Sequence, residues 1–511
     1  MVLVSIFANV GIDVALCCKK AYHNKDKRIF FFIVNNKGGE VYLATRNALD
    51  RKEEQKMEQL QAEQSKTKPL FSTRELAKLI VPLMIEQFLV VLVGMVDTMM
   101  VATVGETAVS GISLVDAINV LLIQVFAALA TGGAVVASQF LGRRDVEKAR
   151  ASAKQLLWVS TLLATFIAVF ALVGNRFLLK LCFGNIEPAV MENAVTYFWL
   201  SALSYPFMAV YNSGAALFRS MGNSKVSMLI ALLVNAINIG GNAFLIYQIH
   251  LGVAGAGIAT LVSRIVAAVV IMVLLHHRNN PIYLEKVFHF KPDMALIRSI
   301  LKIGIPNGIE NGVFQVGKLM VAGLISSFGT AAIAANAICN NLGSMTNIPG
   351  SAIGLGLVTV VGQCVGAKDH QQARSYTKKL LAFAYGVMLV TNVLMILFAK
   401  PMIAFYNVSP EANEMAWQVL MVYCVVCIIA WPSSFTIPNA LRAAGDAKFT
   451  MLVALCSMWI FRIGFSYILG SWLHMGLFGT WIAMEIDWVV RSIFFVTRFK
   501  GNQWEKAQVI D

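Results

Sequence analysis

PLMIEQFLVVLVGMVDTMMVATVGE (residues 82–106) and PNGIENGVFQVGKLMVAGLISSFGT (residues 306–330) lie 224 positions apart, and Pro82 through Arg150 can be laid on Pro306 through Arg374 without a gap. The coinciding residues are polar or structural rather than merely apolar. They include Pro82 and Pro306, Glu86 and Glu310, Gly105 and Gly329, Gly132 and Gly356, Gln139 and Gln363, and the basic loops QFLGRRDVEKAR (139–150) and QCVGAKDHQQAR (363–374). Farther on, Arg219, Gly222 and Lys225 match Arg442, Gly445 and Lys448 at a spacing of 223, and Gly252 and Gly255 return to 224. A single-residue slip of that kind belongs in a loop. The chain is an internal duplication, and the repeat decides the architecture before any helix is assigned.

Composition places the duplicated unit in a membrane. The 511 residues are 58% hydrophobic and 14% charged, with mean hydropathy +0.68, well outside the range of soluble globular proteins. Uncharged or nearly uncharged runs near 77–101, 114–136, 156–173, 196–217, 226–249 and 253–275 are followed by six more near 302–325, 331–363, 379–398, 415–440, 451–470 and 476–497. Each can cross a hydrocarbon layer about 30 Å thick as a helix. The expected fold is all-α and integral to the membrane, with twelve transmembrane helices in two six-helix lobes. The lobes are 73–278 and 299–498, joined by a basic cytoplasmic linker over 279–298 and flanked by a cytoplasmic N-terminal extension over 1–72, expected to be disordered, and a cytoplasmic tail over 499–511.

The net charge of +14 would suggest nucleic acid in a soluble chain, but here it follows topology. Arg and Lys cluster after every even-numbered helix, at Arg143, Arg144, Lys148 and Arg150; Arg219 and Lys225; Arg278, Lys286 and Lys291; Lys368, Arg374, Lys378 and Lys379; Arg442 and Lys448; and Arg498 and Lys500. The positive-inside rule then puts those ends, and both termini, in the cytoplasm. An even number of helices per lobe gives both lobes one orientation, the parallel kind of repeat. No Walker pattern accompanies the basic loops, so nucleotide is not an expected partner and the energy source is an ion gradient. No cofactor is expected beyond the coupling ion. Cys424 and Cys427 form a C-x-x-C inside an apolar helix and read as packing.

The segment before the repeat reads differently. Val2–Ala15 is too short to span and lacks a basic leader, Arg46–Lys68 reads as solvated and disordered, and a shortened chain beginning at Met57 is expected to transport normally.

Ionisable groups at membrane depth are costly and usually functional. Asp97 sits near the outer end of helix 1. Asn235, Asn238 and Asn242 share one face of helix 5, and Thr260 on helix 6 falls at a similar depth. One carboxylate, two amides and a hydroxyl can therefore converge as hard oxygen ligands for a sodium ion, or around a proton on Asp97. The second lobe has Val321, Arg462, Ser466 and Met484 at the corresponding positions; a guanidinium there repels a mobile cation, so one lobe is expected to couple and the other not. Glu86 and Glu310, four residues past prolines taken to open helices 1 and 7, read either as cavity carboxylates for cationic substrates or as partners of a nearby Arg or Lys. Asn311 and Gln315 enrich the same stretch as Glu310, and Asp116, Asn119 and Gln124 could line a water-filled cavity.

The segment VDTMMV around Asp97, the loop LGRRDVEKA, FRSMGNSK (218–225) with its copy LRAAGDAK (441–448), and NAINIGGNAFLI (235–246) followed by GVAGAGIAT (252–260) together resemble the multidrug and toxic compound extrusion family, MATE, near its bacterial NorM branch. The resemblance covers about residues 73–497. It implies a monomeric antiporter of the bacterial cytoplasmic membrane that exports amphipathic cations in exchange for sodium or protons. The implied cation site is Asp97, Asn238, Asn242 and Thr260, with the Ala256 carbonyl as a further ligand. Some relatives have a second aspartate where this chain has Asn242, which removes a two-aspartate proton relay here. Others place acids at positions matching Phe314 and Trp431, so second-lobe cation binding is not expected. The alternatives weighed against this reading are a lipid-linked oligosaccharide flippase, which needs a basic central cavity, and an intramembrane enzyme, which needs a nucleophile, His or metal cluster that the sequence does not show.

Overall fold

Ser72 starts the membrane domain with a capping box: its hydroxyl accepts from the Glu75 backbone N–H, and the Glu75 carboxylate accepts in return from the Ser72 backbone N–H at 2.7 Å. Two orphan donors at a helix start are thereby satisfied. The computed structural model describes residues 69–510 except Asn185, 286–290 and Gln508, together with two strands upstream. Residues Met1–Leu70 and Phe71–Asp511 form separate units.

In the first unit β1 (Phe30–Val34) pairs antiparallel with β2 (Val41–Thr45), Phe30 opposite Thr45 and Val34 opposite Val41. The sequence reading named no element there. Both strands are rich in β-branched and aromatic residues, and Asn35, Asn36, Gly38 and Gly39 lie between them in sequence, which is hairpin chemistry. The expectations for Val2–Ala15, Arg46–Lys68 and a start at Met57 fall outside the described residues.

The second unit is a bundle of twelve long helices. The first lobe holds α1 (Thr73–Ala102), α2 (Glu106–Gly142), α3 (Val146–Val173), α4 (Pro188–Ser220), α5 (Ser224–Asn242, continuing as a π-helix over Ala243–Gln248) and α6 (Gly252–Leu275). The second holds α7 (Met294–Ser326), α8 (Thr330–Gly366), α9 (His370–Ala404), α10 (Pro410–Trp431, a π-turn over Pro432–Thr436, then Ile437–Ala444), α11 (Ala447–Ser457, then π-helix over Met458–Gly464 and Ser466–Trp472) and α12 (Gly476–Lys500). Among the described residues nine of these spans are long and apolar enough to cross a membrane by length and composition. The other three are α4, α7 and α12. Their apolar character is diluted by groups that face the interior, such as Ser201, Ser204 and Ser213 on α4, Glu310 on α7, and Glu485, Asp487 and Arg491 on α12.

Two boundaries move. The linker expected through residue 298 ends at Asp293, whose carboxylate caps α7 by accepting from the Ala295 and Leu296 backbone N–H groups at 3.0 and 3.2 Å. Pro82 and Pro306 lie inside α1 and α7 rather than opening them. A helical proline leaves the carbonyl four residues earlier without its partner; at Pro82 the Ser224 hydroxyl lies over this turn, donating mainly to the Leu79 carbonyl at 2.5 Å with the Lys78 carbonyl at 3.3 Å.

The duplication is written into the backbone. Left-handed conformations recur at the repeat spacing at Arg144 and Lys368, His250 and His474, and Gly252 and Gly476. The lobes meet through the same residues of each copy. Gly142 of α2 lies against Gln363 of α8 so closely that a Cβ would sit 2.0 Å from the Gln363 carbonyl oxygen, and Gly366 lies against Gln139 with the corresponding gap at 1.9 Å. Gln139 Nε2 donates to the Ala443 carbonyl at 2.7 Å, and Gln363 Nε2 donates to the Ser220 carbonyl at 2.8 Å.

Three apolar clusters follow from this packing. One is shared by both lobes and joins Leu79, Leu83, Val135 and Phe140 to Ile300, Ile353, Leu357 and Val361. The other two belong each to a single lobe, one around Phe126, Tyr197, Phe198 and Tyr205, the other around Leu420, Tyr423, Trp481 and Trp488. The lobes are thus fused at the end that carries the basic loops and have separate cores toward the other. At the fused end Arg150 donates to the Pro281 carbonyl at 2.9 Å, and Arg374 binds the start of the tail through Lys500, Gly501, Asn502 and Glu505. The tail docks there, with Trp504 buried against Phe499.

Candidate functional site

Two cavities lie among these helices. The smaller, about 290 Å³, belongs to the first lobe and gathers Asp97 from α1, Asp116 from α2, Tyr197 from α4, Asn235, Asn238 and Asn242 from α5, and Ala256, Thr260 and Arg264 from α6. Every member of the expected cation site is here. The three asparagines reach it because i, i+3 and i+7 share a helical face, and Asn242 is the last α-helical residue before α5 widens into its π-helix. Such widenings free carbonyl groups and are frequent at functional sites.

Asp97 is the hub of this cavity. Its carboxylate accepts from Asn242 Nδ2 at 2.9 Å. The hydrogen-bonding pattern sets the Asn238 amide with its nitrogen donating to both Asp97 oxygens, at 2.8 and 3.1 Å, and its oxygen accepting from Thr260 Oγ1 at 3.3 Å. Asn242 Oδ1 is buried with no hydrogen-bond partner among the described residues. A buried acceptor without a donor is a place for a cation or a proton, and it stands beside a carboxylate, an amide and a hydroxyl. These hard oxygens suit a small monovalent cation.

Arg264 was missed in the sequence, although a guanidinium in the middle of GVAGAGIATLVSRIVAAVV is a visible anomaly. It donates to Ser204 Oγ at 2.6 Å and acts electrostatically on both Asp97 and Asp116. Asp116 itself accepts from Asn119 Nδ2 at 3.1 Å, and Asn119 accepts in turn from the Tyr205 hydroxyl at 2.9 Å. Asp116 therefore belongs to the network of this acidic cavity of the first lobe, whereas the sequence reading placed it with Asn119 and Gln124 along a water-filled cavity.

The larger cavity, about 950 Å³, lies between the lobes, with Gln87 and Gln124 on one wall and Asn311, Gln315, Lys318 and Arg462 on the other. Glu310 borders it but is buried in an ion-pair cluster, 2.6 Å from Arg442 Nη2 and 3.6 Å from Arg491 Nη2. Glu86 is equally committed. It pairs with Arg219 at 3.3 Å, accepts from Ser227 Oγ at 2.6 Å, and does not line the cavity. The Glu86–Arg219 and Glu310–Arg442 pairs are the same pair in the two copies of the repeat. The reading of these glutamates as attractants for cationic substrates is corrected accordingly: their charge is already consumed, and what remains on the wall of the large cavity is basic. Arg462, where the first lobe has Asn238, stacks on Phe314 with its guanidinium carbon 5.0 Å from the ring centre and has Asp487 at 3.8 Å behind it.

Two lobes of six helices, fused at one end and enclosing an acidic cavity within the first lobe and a larger cavity between them, define the architecture of a membrane transporter. Comparison with known proteins agrees. The MatE family model matches residues 82–244 and 306–468, one copy per lobe, and the chain belongs to that family of multidrug and toxic compound extrusion transporters. It is 30% identical over 445 residues to transporter YisQ of Bacillus subtilis, a match covering 86% of this chain and 96% of that protein. It is 28% identical over 453 residues to the probable multidrug resistance protein NorM of Thermotoga maritima, covering 86% and 94%. Among solved structures, the outward-facing conformation of a multidrug resistance MATE family transporter superposes with a TM-score of 0.79 at 20% identity, over 83% of this chain and 95% of that one.

Proposed function

We propose that the protein is a secondary antiporter that exports amphipathic small molecules while a cation, sodium or a proton, enters through the Asp97 site. The observation that carries this reading is the convergence of Asp97, Asn238, Asn242 and Thr260, with the orphaned Asn242 Oδ1, in a cavity of the first lobe alone. The relatives named above include a probable multidrug resistance protein, which supports export as the direction of transport.

The fused end carries the basic loops, and the positive-inside rule assigns it to the cytoplasm. On that assignment the structure is closed inward, and the ion reaches Asp97 from outside. Binding of the ion neutralises the carboxylate, which releases the Asn238 and Asn242 amides and lets their oxygens turn toward the site. Coupling requires only that the ion bind one arrangement of α1, α5 and α6 better than the other. Rocking of the lobes about the Gln139 and Gln363 contacts would then expose the larger cavity to alternate sides.

The test is Asp97→Asn in inverted vesicles, with a fluorescent substrate in the medium and the sodium or proton gradient imposed from the lumen, read as uptake into the vesicles. Gradient-driven transport is expected to fall at least about tenfold, the effect of losing roughly 1.4 kcal/mol of differential ion binding, while membrane insertion is unchanged. Transport that persists at the unsubstituted rate would overturn the assignment.

A further inference from the structure

The larger cavity has a charge pattern of its own. Four basic side chains line it, Lys318, Arg442, Arg462 and Arg491, against the single acid Glu310. Glu310 satisfies one of these charges and Asp487 a second from behind Arg462, so two positive charges are left over. Glu485 is buried beside Cys424 and is not part of the lining.

Several donors in this cluster are also unused. Lys318 has no hydrogen bond or ion pair among the described residues, and Arg462 Nε and Nη1 and Arg491 Nε are buried without hydrogen-bond partners. Lys318 stands one helical turn beyond Phe314, the ring on which Arg462 lies, so the two cations share one patch of wall. Opposed charges would be the economical arrangement at this depth in a membrane, and like charges side by side are destabilising unless something anionic sits between them.

One stretch of the wall is aromatic. Trp481, Tyr423, Trp488, Phe435 and Trp431 form a continuous series with ring centres 5.4, 5.5, 5.8 and 4.9 Å apart along it, and Arg491 lies 4.7 Å over Phe435. Flat apolar rings on one side and unpaired guanidinium and ammonium donors on the other are complementary to an aromatic anion.

We propose that the central cavity binds amphipathic anions, an aromatic or apolar body against the Trp431–Trp488 wall and a carboxylate or sulfonate between Lys318 and Arg462. The proposal rests on the export reading above and names its substrate class.

The probes are naphthalene-2-sulfonate and the matched 2-naphthyltrimethylammonium cation, titrated by equilibrium dialysis against the purified full-length protein. The sulfonate is expected to bind at least about tenfold more tightly than the cation, Lys318→Gln to weaken sulfonate binding by roughly fivefold to tenfold, and Lys318→Glu to reverse the preference. Lys318 makes no hydrogen bond or ion pair among the described residues, so these variants remove charge from the site without breaking a polar contact of α7. A preference for the cation, binding of neither probe, or a sulfonate affinity unchanged in Lys318→Gln would each overturn the proposal. Asp97→Asn separates the two readings: it should leave sulfonate binding intact while abolishing gradient-driven transport.

Discussion

At the fused end the two halves of the molecule are near copies of each other; toward the other end they are opposites. Glu86 with Arg219 repeats as Glu310 with Arg442, Gln139 on Ala443 repeats as Gln363 on Ser220, and Gly142 against Gln363 repeats as Gly366 against Gln139. In the cavities, Asp97 becomes Val321, Asn238 becomes Arg462, Asn242 becomes Ser466 and Thr260 becomes Met484. Even the local backbone diverges: α5 turns to π-helix after Asn242, whereas α11 does so at Met458, four residues before Arg462. A joint between two lobes is self-complementary only if both sides keep the same groups. A cavity carries no such constraint, so one lobe can keep an acidic pocket and the other a basic wall.

The joint is the easiest part of this comparison to break. Gly142→Ala and Gly366→Ala should each abolish transport, because the added methyl would stand about 2 Å from a backbone carbonyl of the opposite lobe, and backbone cannot yield as a flexible side chain can. Cross-linking of cysteines placed across the joint, together with vesicle transport, measures this. Equal loss in the two variants supports a symmetric joint; full activity in either one refutes it.

Glu310→Gln is expected to have the next largest effect. It strips a buried carboxylate from two guanidinium groups, a change that typically costs about 3–5 kcal/mol. Glu86→Gln should cost less, since Arg219 is a single partner at 3.3 Å and is more exposed than Arg442. Thermal unfolding of the detergent-solubilised protein orders the two, and the reverse order would show that the number and burial of the guanidinium partners do not set the cost. Smallest are Gln139→Ala and Gln363→Ala. Each removes one amide donor to a carbonyl across the joint, worth about 1 kcal/mol, and their similar cost in the same assay would sharpen the symmetry.

Much of this was legible in the sequence. The spacing of 224 residues predicted both lobes, and the three asparagines of α5 placed themselves on one face by helical geometry alone. Asp97, Asn238, Asn242, Ala256 and Thr260 do share one cavity. What escaped were the partners. Glu86 and Arg219 are separated by 133 residues, and Arg264 shows as a charge in an apolar run without any sign of where it points.

The sequence by itself determined the number of helices, their duplication and the end of each that carries basic charge, because helix length, apolar character and loop charge are local properties that a membrane reads directly. Only the tertiary structure decided which charges are spent. Ser227 and Arg219 reach Glu86, Arg442 and Arg491 reach Glu310, and Lys318 is reached by nothing among the described residues, since those distances depend on how twelve helices pack. The sign of a cavity is a sum over helices far apart in the chain. Here that sum left an acidic pocket in one lobe and a basic wall in the other.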